Sequence, residues 1–443
     1  MKIQLSDHFT FRRLLRFTIP SVAMMIFSSV YVIVDGFFVS NYVGATAFAA
    51  VNLIMPVLMI LSAVGFMIGT GGSALVSMTL GQGKNKKANE IFSLLIYFVI
   101  ACGAVLDIIG YIFIADIAAA LGATPEMLPI CILYARISLI SLIPFMLQNV
   151  FQNFMVTAGK PHMGLIVTIM AGGANIFLDW LLVGQLSMGV SGAAVATVIS
   201  EYIGGMVPLI YFFMKNKSLL RIGKTRFDGK AILRACINGS SELMTFISAS
   251  VVNILYNMQL MKWSGEPGVA AYGVIMYYLT VAEALFVGYS IGAAPVISYN
   301  YGSENKSELK GLFKKSLILI GIFAVVITAA SELFAGFISG IFVGYDAELM
   351  DMTCNAFRIY SFAFLFMGFN MFASAFFTAL NNGLISALLS FVRTLVLEVI
   401  CVLVLPGIFG LNGIWGSVIA ADGAALILSV ICFIAFRKKY GYW

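Results

Sequence analysis

Phe17-Thr-Ile-Pro-Ser-Val-Ala-Met-Met-Ile-Phe-Ser-Ser-Val-Tyr-Val-Ile-Val-Asp-Gly-Phe-Phe-Val-Ser40 carries one charge, Asp35. A helix needs roughly 20 apolar residues to cross a bilayer, so this run is long enough to span. It is too long for the apolar region of a secretory leader and has no small-residue cleavage site, so a retained first span is expected. The rest of the chain repeats the theme. Apolar residues make up 61% of the sequence and charged residues 10%. Soluble domains average about 45–50% and 25%. So few charges cannot cover a water-facing surface, so most of the surface must face lipid.

Hydropathy and turn signals place twelve spans, at 17–40, 47–80, 91–115, 128–157, 163–185, 191–214, 235–261, 269–301, 312–342, 348–379, 384–405 and 412–436. An all-α polytopic membrane protein is therefore expected. Pro20, Pro56, Pro144, Pro208 and Pro295 fall inside spans, where each removes a backbone hydrogen bond and permits a kink.

Sliding the chain along itself by 221 residues brings Gly44 onto Gly265, Gly71 onto Gly292, Ser77 onto Ser298 and Gly81 onto Gly302. Thr157 falls on Thr378, Gly192 on Gly413 and Glu201 on Asp422. One constant offset across both halves predicts two six-helix lobes, residues 1–214 and 235–443, joined by a polar linker at 215–234. Six is an even number, so both halves enter the membrane from one side. The pseudo-two-fold axis should then lie along the membrane normal, with a substrate cavity between the halves.

Charge sets the orientation. Of the 26 basic residues, 22 fall on one side of these spans, including Arg12, Arg13, Arg16, Lys84, the linker cluster and Arg437 to Lys439. Lys262 alone sits in a loop on the other side. That asymmetry places both termini in the cytoplasm and accounts for the net charge of +6 without any nucleic-acid partner. The six cysteines lie in apolar stretches without C-x-x-C spacing, and His8 and His162 stand far apart, so neither disulfides nor a His-metal centre is expected. Gly81-Gln82-Gly83-Lys84 is not a P-loop, because Met78 replaces its first glycine and Asn85 its Ser/Thr. No ATP site or other cofactor is expected, nor an enzyme. Transport should draw on an ion gradient.

Ionisable groups inside a membrane are functional candidates by default. Asp35 lies six residues before Asn41, Asp179 six before Gln185 and Thr197 six after Ser191, each roughly 9 Å below one surface. Asn175 is one turn from Asp179 on the same helix face. Together Asp35, Asn175, Asp179 and Thr197 can form an oxygen-rich pocket that holds a small hard cation such as Na+ or shares a proton. The plainer alternative is four unrelated polar groups satisfied by neighbouring backbone. The offset maps the four onto Tyr256, Val396, Ile400 and Val418, so the second half keeps no carboxylate of this set. In that half Glu283, Arg393 and Glu398 lie near mid-span. They read best as Arg393 paired with a glutamate, the alternative being a second charge site. The match of Glu201 with Asp422 favours a shared structural role. Arg136 and Arg358 read as packing or snorkelling residues. Met146, Gln148, Met155, Met367, Asn370 and Met371 are candidates for a substrate pocket, since methionine adapts its shape to varied ligands.

Val34-Asp-Gly-Phe-Phe-Val-Ser-Asn-Tyr-Val-Gly44, followed by Ala49-Ala-Val-Asn-Leu-Ile-Met-Pro56, resembles the first-helix signature of the multidrug and toxic compound extrusion (MATE) family, in its bacterial DinF/MepA-like branch. Gly69-Thr-Gly-Gly-Ser-Ala-Leu-Val-Ser77 and Pro295-Val-Ile-Ser-Tyr-Asn-Tyr-Gly302 look like its later motifs. Ser40 departs from a common glycine, and Ile291 and Ala294 stand where relatives often carry glutamine. The resemblance implies two lobes around a V-shaped cleft in a bacterial cytoplasmic membrane. It also implies a monomer that exports lipophilic organic cations in exchange for protons or Na+. The family's first-lobe cation site matches Asp35, Asn175, Asp179 and Thr197, and a bend near Pro20 is the expected response to the ion. A lipid-linked oligosaccharide flippase of the same superfamily is the alternative, disfavoured by twelve spans and an acidic cluster. A membrane prenyltransferase would need a second aspartate-rich motif, which the sequence lacks.

Overall fold

The computed structural model describes residues 3–344 and 346–443; Lys2, one of the basic residues counted above, lies outside them. Among the described residues there are helices and no strands. Twelve spans follow one another in the chain. In the first half they are α1 (Phe11–Val43), α2 (Thr46–Gly81), α3 (Asn85–Ala120), α4 (Met127–Leu139 and Leu142–Thr157), α5 (Pro161–Gln185) and α6 (Gly189–Phe213). In the second they are α7 (Gly229–Ser264), α8 (Glu266–Gly302), α9 (Lys306–Val343), α10 (Ala347–Ser361 and Phe364–Ala379), α11 (Gly383–Phe409) and α12 (Leu411–Tyr440). Most run past the apolar stretch that marks them, because polar caps lie outside it. Asp228, for example, accepts from Ala231 N at 3.1 Å, so α7 begins inside the stretch expected to be linker.

α4 and α10 are broken, by 58° and 48°. In α4 the cause is Pro144, whose missing N–H would have bonded Ile140 O. No proline lies at the α10 break, and its composition carries no sign of a bend. There the chain tightens into three-residue turns, Phe362 N to Ile359 O and Ala363 N to Tyr360 O. Pro20, Pro56, Pro208 and Pro295 stay inside continuous helices.

Each half has its own apolar core, and each borrows from the other. Leu5, Phe9, Leu14 and Phe17, at the start of the chain, pack into the core of the second half. Leu220, Ile222, Ala231 and Ala235, leading into α7, pack into the core of the first. Glu308 anchors the first crossing: its carboxylate accepts from Phe9 N at 2.8 Å and contacts His8 Nδ1 at 2.6 Å. The second crossing is held on α3, where Asn89 Oδ1 accepts from Arg221 N and Ser93 Oγ accepts from Gly223 N.

The lobes meet where backbone touches backbone. A Cβ on Gly81 would fall 2.1 Å from Tyr299 O, and one on Gly302 would fall 2.1 Å from Met78 O. The two contacts are images of each other under the 221 offset. Gly71 meets Gly239 in the same way that Gly292 meets Thr18. Small residues permit such close approach. All of these positions lie in the halves of α1, α2, α7 and α8 nearer the chain termini. Among hydrogen bonds between described residues of the two lobes, the one furthest from that side is Ser29 Oγ to Thr280 O, near mid-span.

Candidate functional site

In the first lobe, i and i+4 residues converge from several helices. α1 brings Tyr31 and Asp35, α2 brings Met55 and Met59, α4 brings Tyr134 and Ser138, and α6 brings Thr197 and Glu201. With Asn175 of α5, Leu142 and Phe145 they line a cavity of about 80 Å³. Asp179 stands behind this wall and is fully buried, while Asn175 is 1% and Asp35 8% exposed.

Close packing of α1 on α5 creates the arrangement. A Cβ on Gly172 would lie 2.6 Å from Tyr31 Cδ1 and 2.7 Å from Phe27 Cε1, so only glycine lets the helices approach this far. One turn beyond Tyr31 and two turns beyond Gly172, the buried carboxyls of Asp35 and Asp179 come close enough to interact. At Asp179 the helix widens into a π-wound turn, Asp179–Gln185. Such turns are rare in proteins and recur at functional sites. Asp35 Oδ1, Asn175 Oδ1 and both Asp179 oxygens are buried without a hydrogen-bond donor. Buried oxygens left unpaired are costly, and two facing carboxylates repel unless positive charge lies between them. A shared proton or one small cation meets both demands.

Three of the four expected oxygen donors thus line one cavity, with the fourth directly behind. Glu201 belongs to that cavity as well, which the sequence reading missed. It lies one turn from Thr197 on the same face of α6, and that spacing was the available signal. Nor do Glu201 and Asp422 share a role. Glu201 accepts a short hydrogen bond from Ser141 at the α4 break. Asp422 is the partner of Arg393, with Nε to Oδ1 at 2.5 Å and Nη2 to Oδ2 at 3.4 Å.

That pairing corrects the expectation that Arg393 pairs with a glutamate. Asp422 wins because it already accepts from Asn370 Nδ2 at 3.0 Å, and Ser429 holds Asn370 in turn at 2.9 Å. Glu283 and Glu398 lie close enough to feel both charges without bonding Arg393. At the position matching Asp35, Tyr256 stacks on Tyr272 with ring centroids 5.0 Å apart. Arg136 lies over the Tyr111 ring at 4.9 Å.

The six candidates for a substrate pocket do not line the cavity. Met146 is buried against Gly65 and Gly103, and Met155 against Gly164. Gln148 packs on Gly204, Asn370 is committed to Asp422, and Met367 and Met371 pack in the second core. Gln148 and Met155 instead line a second, much smaller cavity of about 10 Å³ together with Gly164 and Gly204.

Twelve spans in two pseudo-symmetric lobes, with a buried acidic cavity in one, are the architecture of a polytopic membrane transporter. A family model described as MatE matches residues 20–181 and 243–404, once in each lobe. The chain belongs to the MatE family. It is 26% identical over 432 residues to the multidrug export protein MepA of Staphylococcus haemolyticus, covering 97% of this chain and 94% of that one. The fold is similar to a crystal structure of MATE in complex with MaL6, with TM-score 0.92 and 22% identity over 97% of this chain and 98% of that one. It is also similar to an outward-facing multidrug resistance MATE family transporter, with TM-score 0.91 and 23% identity over 97% and 98% of the two chains.

Proposed function

We propose that the chain is a secondary antiporter of the bacterial cytoplasmic membrane, exporting lipophilic organic cations in exchange for protons or Na+. The observation that carries this reading is the set of unpartnered buried oxygens on Asp35, Asn175 and Asp179, beside a cavity that also receives Thr197. Nothing in a packed lobe interior calls for two facing carboxylates, whereas a coupling ion does. The relatives named for multidrug export support the direction and breadth of the transport.

The positive-inside asymmetry puts both termini in the cytoplasm. The glycine seam then closes the cytoplasmic side, and the cleft faces outward. In that state the coupling ion reaches Asp35 and Asp179 down its gradient and substrate leaves. Neutralising the pair alters the first lobe, and the lobes rock until the seam parts and the cleft faces inward. Substrate then enters, the ion is released, and the seam re-forms.

Efflux of ethidium from loaded vesicles tests the proposal, with proton and Na+ gradients imposed separately. Asp35→Asn and Asp179→Asn should each slow gradient-driven efflux at least about tenfold, equivalent to ~1.4 kcal/mol. Wild-type rates in both variants would remove these residues from coupling.

A further inference from the structure

Pro144 leaves Ile140 O without its helical donor, and the side chains that repair this break come from one neighbouring helix. Tyr202 OH donates to Ile140 O at 3.2 Å. The next residue back, Glu201, accepts from Ser141 Oγ. Ser141 N and Oγ also turn back to Ser138 O, at 3.1 and 3.0 Å. The break therefore hangs on two consecutive residues of α6. It also forms a wall of the cavity, with Tyr134 and Ser138 before it and Leu142 and Phe145 after it. Ser138 Oγ is buried there without a partner. The matching break in α10 is held differently. Ser361 Oγ donates to Glu332 of α9 at 2.6 Å, and Asp422, at the position matching Glu201, is bound to Arg393. Among the described residues, the lobe that holds the carboxylate pair alone joins its broken span to a cavity-lining carboxylate.

We infer that Glu201 is a positioning residue that reports the charge in the first-lobe cavity to the bend of α4 through its bond with Ser141. The inference rests on the cation site proposed above. A positive charge arriving beside Asp35 draws the Glu201 carboxylate inward, since both line the same cavity. The Ser141 hydroxyl then falls back on Ser138 O alone, one of the two clamps on the break opens, and the outer arm of α4 pivots about the hinge. The moving element in this inference is α4, whose break faces the site.

The test uses full-length protein in lipid nanodiscs, with native cysteines replaced and spin labels at Thr124 and Leu186. Both positions are exposed, and they flank the outer arm of α4 and the outer end of α5. Titration with Na+ and, separately, with acid should shift the label distance in the parent. Ser141→Ala should abolish that shift while leaving cation binding, followed by tyrosine fluorescence, unchanged. Ser141→Thr restores the hydroxyl and should restore the shift. Glu201→Gln keeps an acceptor but lacks the charge, and should also lose it. A full shift in Ser141→Ala, or no shift in a parent that binds cation, overturns the inference. Wild-type efflux in Asp35→Asn and Asp179→Asn would instead overturn the site on which it rests.

Discussion

Arg393 shows how burial turns one residue into an obligation for another. Its guanidinium sits inside the second lobe against Asp422, which is 2% exposed and held from the far side by Asn370. Removing one partner strands the other charge, a loss of about 3–5 kcal/mol for a buried pair. Arg393→Met should therefore lower the unfolding temperature of the purified protein markedly. Arg393→Met combined with Asp422→Leu should recover much of the loss. Equal melting of the single variant and the parent would show the pair to be idle. The contrast with Asp35 and Asp179 marks what the sequence could convey about sites. Those two were legible because helical spacing and depth depend only on position along one span. The partner of Arg393 was not, because it lies on another helix and three carboxylates compete for it. Glu201 was misread for a related reason. Its match with Asp422 under the repeat suggested a common role, yet different neighbours gave the two carboxylates different work.

At the scale of helices, Gly172 sets the distance between α1 and α5. A methyl group there meets the rings of Tyr31 and Phe27 at 2.6 and 2.7 Å, so Gly172→Ala should displace these rings and, through them, α1. Overpacking of this kind costs roughly 1–3 kcal/mol. The larger effect should fall on the site, because the same shift draws Asp35 away from Asp179. Cation affinity measured by titration should drop while the protein still folds; unchanged affinity would detach the glycine from the carboxylate pair. Spans themselves were legible, since lipid demands long apolar runs and tolerates little else. Their breaks were only half legible. Pro144 announces the bend in α4 through a missing donor. The bend in α10 arises from backbone tightening around Ser361, which leaves no mark in composition.

For the whole molecule, the repeat read from matched glycines becomes a physical axis, because the same glycines form the seam. Gly239, whose counterpart under the offset is Thr18, makes a still tighter contact in the seam, with an added Cβ 1.9 Å from Met67 O. Gly239→Ala should hold the seam apart and favour the state open on the terminal side. Transport should fall steeply while cation binding in the first lobe persists. A cysteine replacing Ser298, buried in the parent where its hydroxyl bonds Ala74 O across the seam, should become reactive to aqueous thiol reagents. Continued protection of that cysteine would mean the seam tolerates the methyl group. The crossed leading segments were not legible as such. Their apolar residues were visible, but nothing along the chain says which core receives them.

The glycine seam also shapes how the two states interconvert. Backbone-to-backbone adhesion has almost no reach, and a gap of 0.5–1 Å already forfeits a quarter to a half of the attraction between facing atoms. Long side chains could stretch across a widening gap and keep hold of both walls; glycines cannot. The closure therefore behaves like a snap fastener. It is firm while engaged, indifferent once parted, and offers little to stabilise a half-open transporter that would let ions and substrate leak through together.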